Sequence, residues 1–203
     1  MIALVDYGLG NIKAFFNIYH RLGIPCKLAS HYSDFDGATH LILPGVGAFD
    51  YAIDKLNRSG MREKLDELVL EKKLPIMGIC VGMQILANSS EEGQLKGLGW
   101  IDAEVKKFDT SLLKTKPHLP HMGWNTVSTT PGSTIFAGVE NESFYFVHSY
   151  AATAPVGQYQ AWSEYGEPFL AAVEDGALTA TQFHPEKSGA AGLKLILNWS
   201  KSL

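Results

Sequence analysis

Four short apolar runs, spaced by turn signals and helical stretches, constrain this chain more than any other feature. The first is 2–6, and the turn Gly8-Leu9-Gly10 follows it. Asn11 then suits a helix N-cap, because its side chain can accept from exposed backbone N–H groups, and the helix it opens stops at Gly23. Residues 25–29 and 40–43 read as further strands. Met61, Leu65, Leu68 and Val69 recur at helical spacing between Gly60 and Lys72. Pro75 to Ile79 reads as a buried strand, and Val81 to Ala87 as the helix after it. Alternation of this kind builds a parallel sheet covered by helices.

The second half changes character. Residues 99–108, 124–129, 143–148, 158–162, 169–174 and 178–183 are short strand candidates with turn residues between them, and Leu193 to Ser200 closes as a helix. The expected whole is a three-layer α/β fold. It has a mostly parallel central sheet, helices on both faces and an added antiparallel or mixed strand region. No linker rich in Pro, Gly or Ser divides the 203 residues, so one domain over 1–203 is expected.

Composition removes several function classes. Charged residues make up 19% and the net charge is −4, which leaves no basic excess for nucleic acid. No apolar run is long enough to span a bilayer, and the N-terminal residues lack the basic segment of a signal peptide. The two cysteines, Cys26 and Cys80, are too few for a disulfide scaffold. A reducing, cytoplasmic setting is therefore expected, where a lone thiol can do chemistry.

Gly78-Ile79-Cys80-Val81-Gly82 has the pattern G-x-C-x-G where a buried strand turns into a helix. This is the cysteine form of a nucleophile elbow. A tight turn needs small neighbours, and it lifts the sulfur clear of the backbone. The helix start then offers unpaired N–H groups that favour thiolate and can hold an oxyanion. A buried structural cysteine is the commoner role for the residue type, and it is the reading adopted for Cys26. Glycines on both sides of a strand–helix junction make poor core, which argues against that role for Cys80.

A thiol nucleophile needs a base, and the base needs a group to fix its tautomer. Gln182-Phe183-His184-Pro185-Glu186-Lys187 follows an apolar strand. In extended chain, residues i and i+2 face one side, so His184 and Glu186 are expected to face one site together. Without Cys80 the same residues would read as a surface turn. His20, His31 and His40 have no partner motif. His118 and His121 lie three apart, yet no cysteine or carboxylate completes a ligand set, so no metal is expected. His148 ends a strand and is a candidate to line the site. Pro44 to Phe49 is a glycine loop after a strand. It lacks a dinucleotide fingerprint or a Walker lysine and reads better as a second oxyanion donor facing the elbow.

Six ordered motifs together resemble the class I glutamine amidotransferases. They are Asp6 to Asn11, Pro44 to Phe49, Gly78 to Gln84, Pro120 to Asn125, Phe146 to Tyr150 and Gln182 to Ser188. Within that class they are similar to the glutaminase subunits of imidazole glycerol phosphate synthases. The resemblance implies a triad of Cys80, His184 and Glu186, with oxyanion positions at Gly47 and Val81. It implies glutamine-binding positions at Gln84, Glu92, Ser149 and Tyr150. It also implies a heterodimer with a (β/α)₈-barrel cyclase that receives the ammonia, with Asn11, Met122, Trp124 and Lys187 facing that partner. No cofactor is implied.

Val81 stands where the histidine-pathway enzymes usually carry leucine, and Ala87-Asn88 where an aromatic is common. That flavour resembles a paralogous branch that supplies ammonia to amidinate a surface-polysaccharide sugar. Two further alternatives are a γ-glutamyl hydrolase or cysteine peptidase on the same fold, and a binding module that has lost its chemistry.

Overall fold

The structure is a computed structural model and describes residues 1–114 and 118–201. Its first half runs β1 (Ile2–Val5), α1 (Ile12–Arg21), β2 (Cys26–Ala29), β3 (His40–Gly45), α2 (Phe49–Arg58), α3 (Arg62–Asp66), β4 (Ile76–Cys80) and α4 (Val81–Gln84). There follow β5 (Ser89–Ser90), β6 (Glu104–Lys107), β7 (His121–Thr126), β8 (Ser128–Thr129), β9 (Ser143–His148), β10 (Tyr150–Ala152), β11 (Tyr159–Tyr165), β12 (Glu167–Asp175), β13 (Leu178–Thr181) and α5 (Gly189–Lys201).

Eight strands form the central sheet in the order β2-β1-β3-β4-β13-β12-β11-β8. The first five pair in parallel, and the last three add antiparallel. β1, β3, β4 and β13 are buried along their whole length, as strands covered on both faces must be. The crossover through α1 steps from β1 outward to β2, whereas the crossover through α2 and α3 steps from β3 the other way to β4. Right-handed crossovers of opposite direction put their helices on opposite faces. The three layers and the mostly parallel sheet are thus as expected. The added region is two small sheets, β10-β6-β5 and the antiparallel pair β7-β9.

Several local expectations are corrected. Asn11 holds the N-cap position of α1, but its side chain makes no capping hydrogen bond. The helix expected over 81–87 stops at Gln84. The carbonyls of Ile85, Leu86 and Ala87 accept instead from the N–H groups of Leu98, Trp100, Ile101 and Gly99, so this segment takes the acceptors a longer helix would use. The same lacing removes 99–103 from the strand expected at 99–108. The helix expected from Gly60 to Lys72 begins as α3 and closes as a π-turn over Glu67–Glu71. α2 is an element the sequence reading passed over, although Phe49, Ala52, Ile53 and Leu56 bury at helical spacing.

Candidate active site

β4 delivers Cys80 to the carboxyl end of the sheet, where the register sets Gly45 of β3 opposite it. Cys80 has φ 56° and ψ −113°, a backbone conformation that side chains disfavour. Close packing holds it there. A Cβ on Gly82 would lie 2.0 Å from the carbonyl oxygen of Leu43, one on Gly45 2.5 Å from the nitrogen of Gly82, and one on Gly78 2.8 Å from the oxygen of Gly82. The glycines are therefore required by backbone-to-backbone contact, the steric reason read from the pattern.

His184 and Glu186 come from the segment after β13. His184 Nδ1 and Glu186 Oε1 are 2.9 Å apart, and both side chains are nearly inaccessible. The route to this pairing differs from the one expected. Pro185–Lys187 is a 3₁₀ turn rather than extended chain, and the turn swings the carboxylate back onto the ring. Burial pulls the imidazole pKa down, but Cys80 and Glu186 outweigh it and raise His184 to about 9. The imidazole is thus a ready proton donor at neutral pH.

Cys80 and His184 open on one cavity of about 340 Å³, within the usual size of a small-molecule site. Gly47, Val81, Gln84, Glu92, Ser149 and Tyr150 all line it, as does His148. Gly47 has φ 91° and open space around its Cα. Glu92 accepts from the backbone N–H of Phe49 at 2.8 Å, which ties the cavity wall to the start of α2.

Below the cavity runs a hydrogen-bond chain that sequence reasoning did not find. The carbonyl of Tyr150 can only accept, so Gln84 Nε2 donates to it at 2.9 Å and so does His148 Nδ1 at 2.9 Å. His148 Nε2 must then accept, and His121 Nδ1 donates to it at 3.1 Å. His121 Nε2 accepts in turn from Asn125 Nδ2 at 3.3 Å, whose other partner is the carbonyl of Glu164. Both rings are neutral in this arrangement. Burial lowers His121 to about 4 and His148 to about 3. Among the described residues no group of three or more His, Cys, Asp or Glu is placed to hold a metal.

The residues expected to face a partner lie outside the cavity. Met122 and Trp124 sit at i and i+2 on β7, 62% and 59% exposed. Trp124 stacks edge-on to Tyr145, and Lys187 Nζ lies 5.9 Å over the same ring, so these residues share one face. Asn11 is exposed at the head of α1. Cys26 is half-buried and free, and burial pushes its thiol up. No helix among the described residues is long and apolar enough to cross a membrane.

A cysteine on a strand–helix elbow, beside a buried histidine–carboxylate pair and open to a cavity, is the arrangement that thiol-dependent hydrolysis of the triad type requires. The family profile described as "Glutamine amidotransferase class-I" matches residues 3–200, and the chain belongs to that family. It is similar to "Imidazole glycerol phosphate synthase subunit HisH" of Bdellovibrio bacteriovorus, 49% identical over 99% of this chain and 100% of that protein. The same subunit of Leptospira interrogans is 42% identical, over 98% of this chain and 99% of that protein. "Imidazole glycerol phosphate synthase hisHF, chloroplastic" of Arabidopsis thaliana is 42% identical over 97% of this chain, which matches 33% of that longer protein. Among solved structures, "Crystal structure of glutamine amidotransferase" superposes with a TM-score of 0.72 at 17% identity, covering 98% of this chain and 96% of that one, a likeness of fold.

Proposed function

We propose that this chain is a single-domain glutaminase, residues 1–203, serving as the ammonia-supplying subunit of an imidazole glycerol phosphate synthase in histidine biosynthesis. The observation that carries this reading is the strained Cys80 sharing a cavity with the His184–Glu186 pair. Full-length similarity to the subunits named above supports the pathway.

Cys80 thiolate attacks the side-chain amide carbon of glutamine. Backbone N–H groups at Val81 and Gly47 hold the tetrahedral oxyanion. His184, protonated at the start, gives its proton to the leaving nitrogen as the carbon–nitrogen bond breaks, and ammonia departs. The thioester remains on Cys80. His184, now neutral, takes a proton from water, which attacks the thioester and releases glutamate. Glu186 orients the ring and stabilises its charged form. Gln84, Glu92, Ser149 and Tyr150 hold the amino acid end of the substrate.

The partner is a (β/α)₈-barrel cyclase in a cytoplasmic heterodimer, docked over Asn11 and over the face that carries Met122, Trp124 and Lys187. The exposed Met122 and Trp124 support a covered role for this face, because large apolar side chains at such exposure favour a partner. Glutamate release by this chain tests the reading, measured alone and with the cyclase of its own cell, with and without that cyclase's nucleotide substrate. Low activity alone and strong stimulation by the loaded cyclase are expected. Absence of binding and of stimulation would move the ammonia to another synthase, with the sugar-amidinating one first to try.

A further inference from the structure

Gln182, just after β13, lies two residues before His184 and is 1% exposed. A buried amide must satisfy its polar atoms, and the partners of this one are telling. Its Oε1 accepts from Gln84 Nε2 at 3.0 Å, and its Nε2 lies 3.8 Å from Cys80 Sγ. The direction of this chain is not free. The Tyr150 carbonyl can only accept, so Gln84 presents its NH₂ group to both Tyr150 and Gln182. Gln182 must therefore turn its oxygen to Gln84, which leaves its NH₂ group toward the sulfur.

Among the described residues the sulfur has one further hydrogen-bond partner, the carbonyl of Val147 at 3.9 Å. A carbonyl oxygen accepts from a thiol and repels a thiolate. The Gln182 amide does the reverse, because donation to the charged form favours it. We propose that Gln182 is a positioning residue for the nucleophile. It stabilises the Cys80 thiolate against the Val147 carbonyl and locks Gln84 in the cavity wall. A leucine or methionine of similar size would fill the same space without either bond.

The inference rests on Cys80 being the nucleophile, and its test does not use glutamine. The rate of Cys80 alkylation by iodoacetamide is measured from pH 5 to 10 in the full chain, following the Cys80 peptide by mass spectrometry so that Cys26 does not contribute. In Gln182→Met the midpoint of the profile is expected to rise by about one pH unit, a tenfold change in thiolate population well below the midpoint. Gln182→Glu is expected to raise it at least as far, because a carboxylate facing the sulfur repels the thiolate. Thr181→Val, which removes a buried hydrogen bond to the Phe183 carbonyl beside Gln182 but none to the sulfur or to Gln84, is expected to leave the midpoint in place. Superimposable profiles for folded Gln182→Met and the unaltered protein would overturn the proposal. So would an equal shift in Thr181→Val, which would mark general loosening of the cavity. Should Gln182→Met not fold, Gln182→Glu decides on its own, and an unmoved midpoint there overturns the proposal. A flat, slow profile in the unaltered protein would instead fail the nucleophile reading itself.

Discussion

Replacing Gly82 with alanine places a methyl carbon 2.0 Å from the carbonyl oxygen of Leu43 and 3.0 Å from its carbon. Real Cβ contacts essentially never come under 3.0 Å, so β3 and the start of α4 must part by at least 1 Å. Gly82 is helical, and its φ lies outside the left-handed range, so backbone conformation does not oppose the change. Alanine is in fact the better helix former by about 1 kcal/mol. Overpacking costs about 1–3 kcal/mol, and the obstacle here is backbone, which places it near the upper end. The net loss is then about 2 kcal/mol, or a fall in Tm of about 4–8 °C for a chain of this size. Cys80 is two residues away on the same turn, and a shift of about 1 Å at a reacting atom lowers kcat/KM about 100-fold. Thermal melts and glutamate release in the presence of the cyclase read both effects. Gly60→Ala is the control, at a left-handed position with no atom within 4 Å of the added Cβ. It should lose a little stability and keep kcat/KM. A Gly82→Ala protein with unchanged melting and turnover would refute the steric account of the elbow.

Cys80→Ala is expected to abolish glutamate release while the fold survives, since the small side chain suits the turn; substantial residual hydrolysis would sink the nucleophile assignment. Glu186→Gln should lower kcat about 100-fold or more through loss of the carboxylate that stabilises the charged ring, with KM little changed, in a steady-state assay. Trp124→Ala should weaken association with the cyclase by about 2 kcal/mol, read by calorimetry, and leave the melt of the isolated chain nearly unchanged. Stability should fall on both sides of about pH 6.5, the ordinary histidine value. His184 is raised in the folded state to about 9, so its contribution is complete below 6.5 and lost as pH rises to 9. His121 and His148 are lowered, so theirs is complete above 6.5 and lost as pH falls through 4 and 3. The alkaline limb, from one histidine, should amount to about 3 kcal/mol in urea titrations and the acid limb, from two, to about 8 kcal/mol, and Cys80→Ala should flatten only the alkaline one.

The parallel half of the sheet was legible because its strands are buried on both faces, so β1, β3 and β4 stand out as uninterrupted apolar runs. The elbow was legible for a similar reason, since glycines flanking a cysteine have no use in a core. What escaped was set by long-range contacts. α4 ends where it does because residues 98–101, more than ten positions further on, take the carbonyls of Ile85, Leu86 and Ala87 that follow it. α2 was within reach, with Phe49, Ala52, Ile53 and Leu56 in register, but the preceding glycine loop drew the reading toward a ligand. His184 and Glu186 were paired on a strand argument, and a 3₁₀ turn achieves the pairing. Gln182 also had a signal in the sequence, because it lies two residues before His184 in the same motif. Its partners, Gln84 and Cys80, are 98 and 102 residues away, and no local pattern points to them.

Two buried histidines, His148 and His184, line one cavity and a third, His121, backs His148, and their sequence contexts do not say which carries charge. The partners do. His184 has a carboxylate on Nδ1 and the thiol group beside it, so a proton on the ring is stabilised from two sides. His148 has a carbonyl on one nitrogen and a neutral imidazole donor on the other, so an added proton would set two donors against each other. His121 meets the Asn125 amide in the same way, and Asn125 cannot turn over because its nitrogen also serves the Glu164 carbonyl and its oxygen the Thr126 N–H. The neutral pair therefore works as a fixed spacer between two backbone carbonyls, those of Glu164 and Tyr150. The Tyr150 carbonyl is also the anchor for Gln84, and through it for Gln182 and the sulfur. Acid that protonates His121 and then His148 would thus disturb the cavity wall. In Cys80→Ala, which cannot turn glutamine over, glutamine affinity should fall as pH drops through about 4, and a flat affinity profile there would show that the two imidazoles serve the core alone.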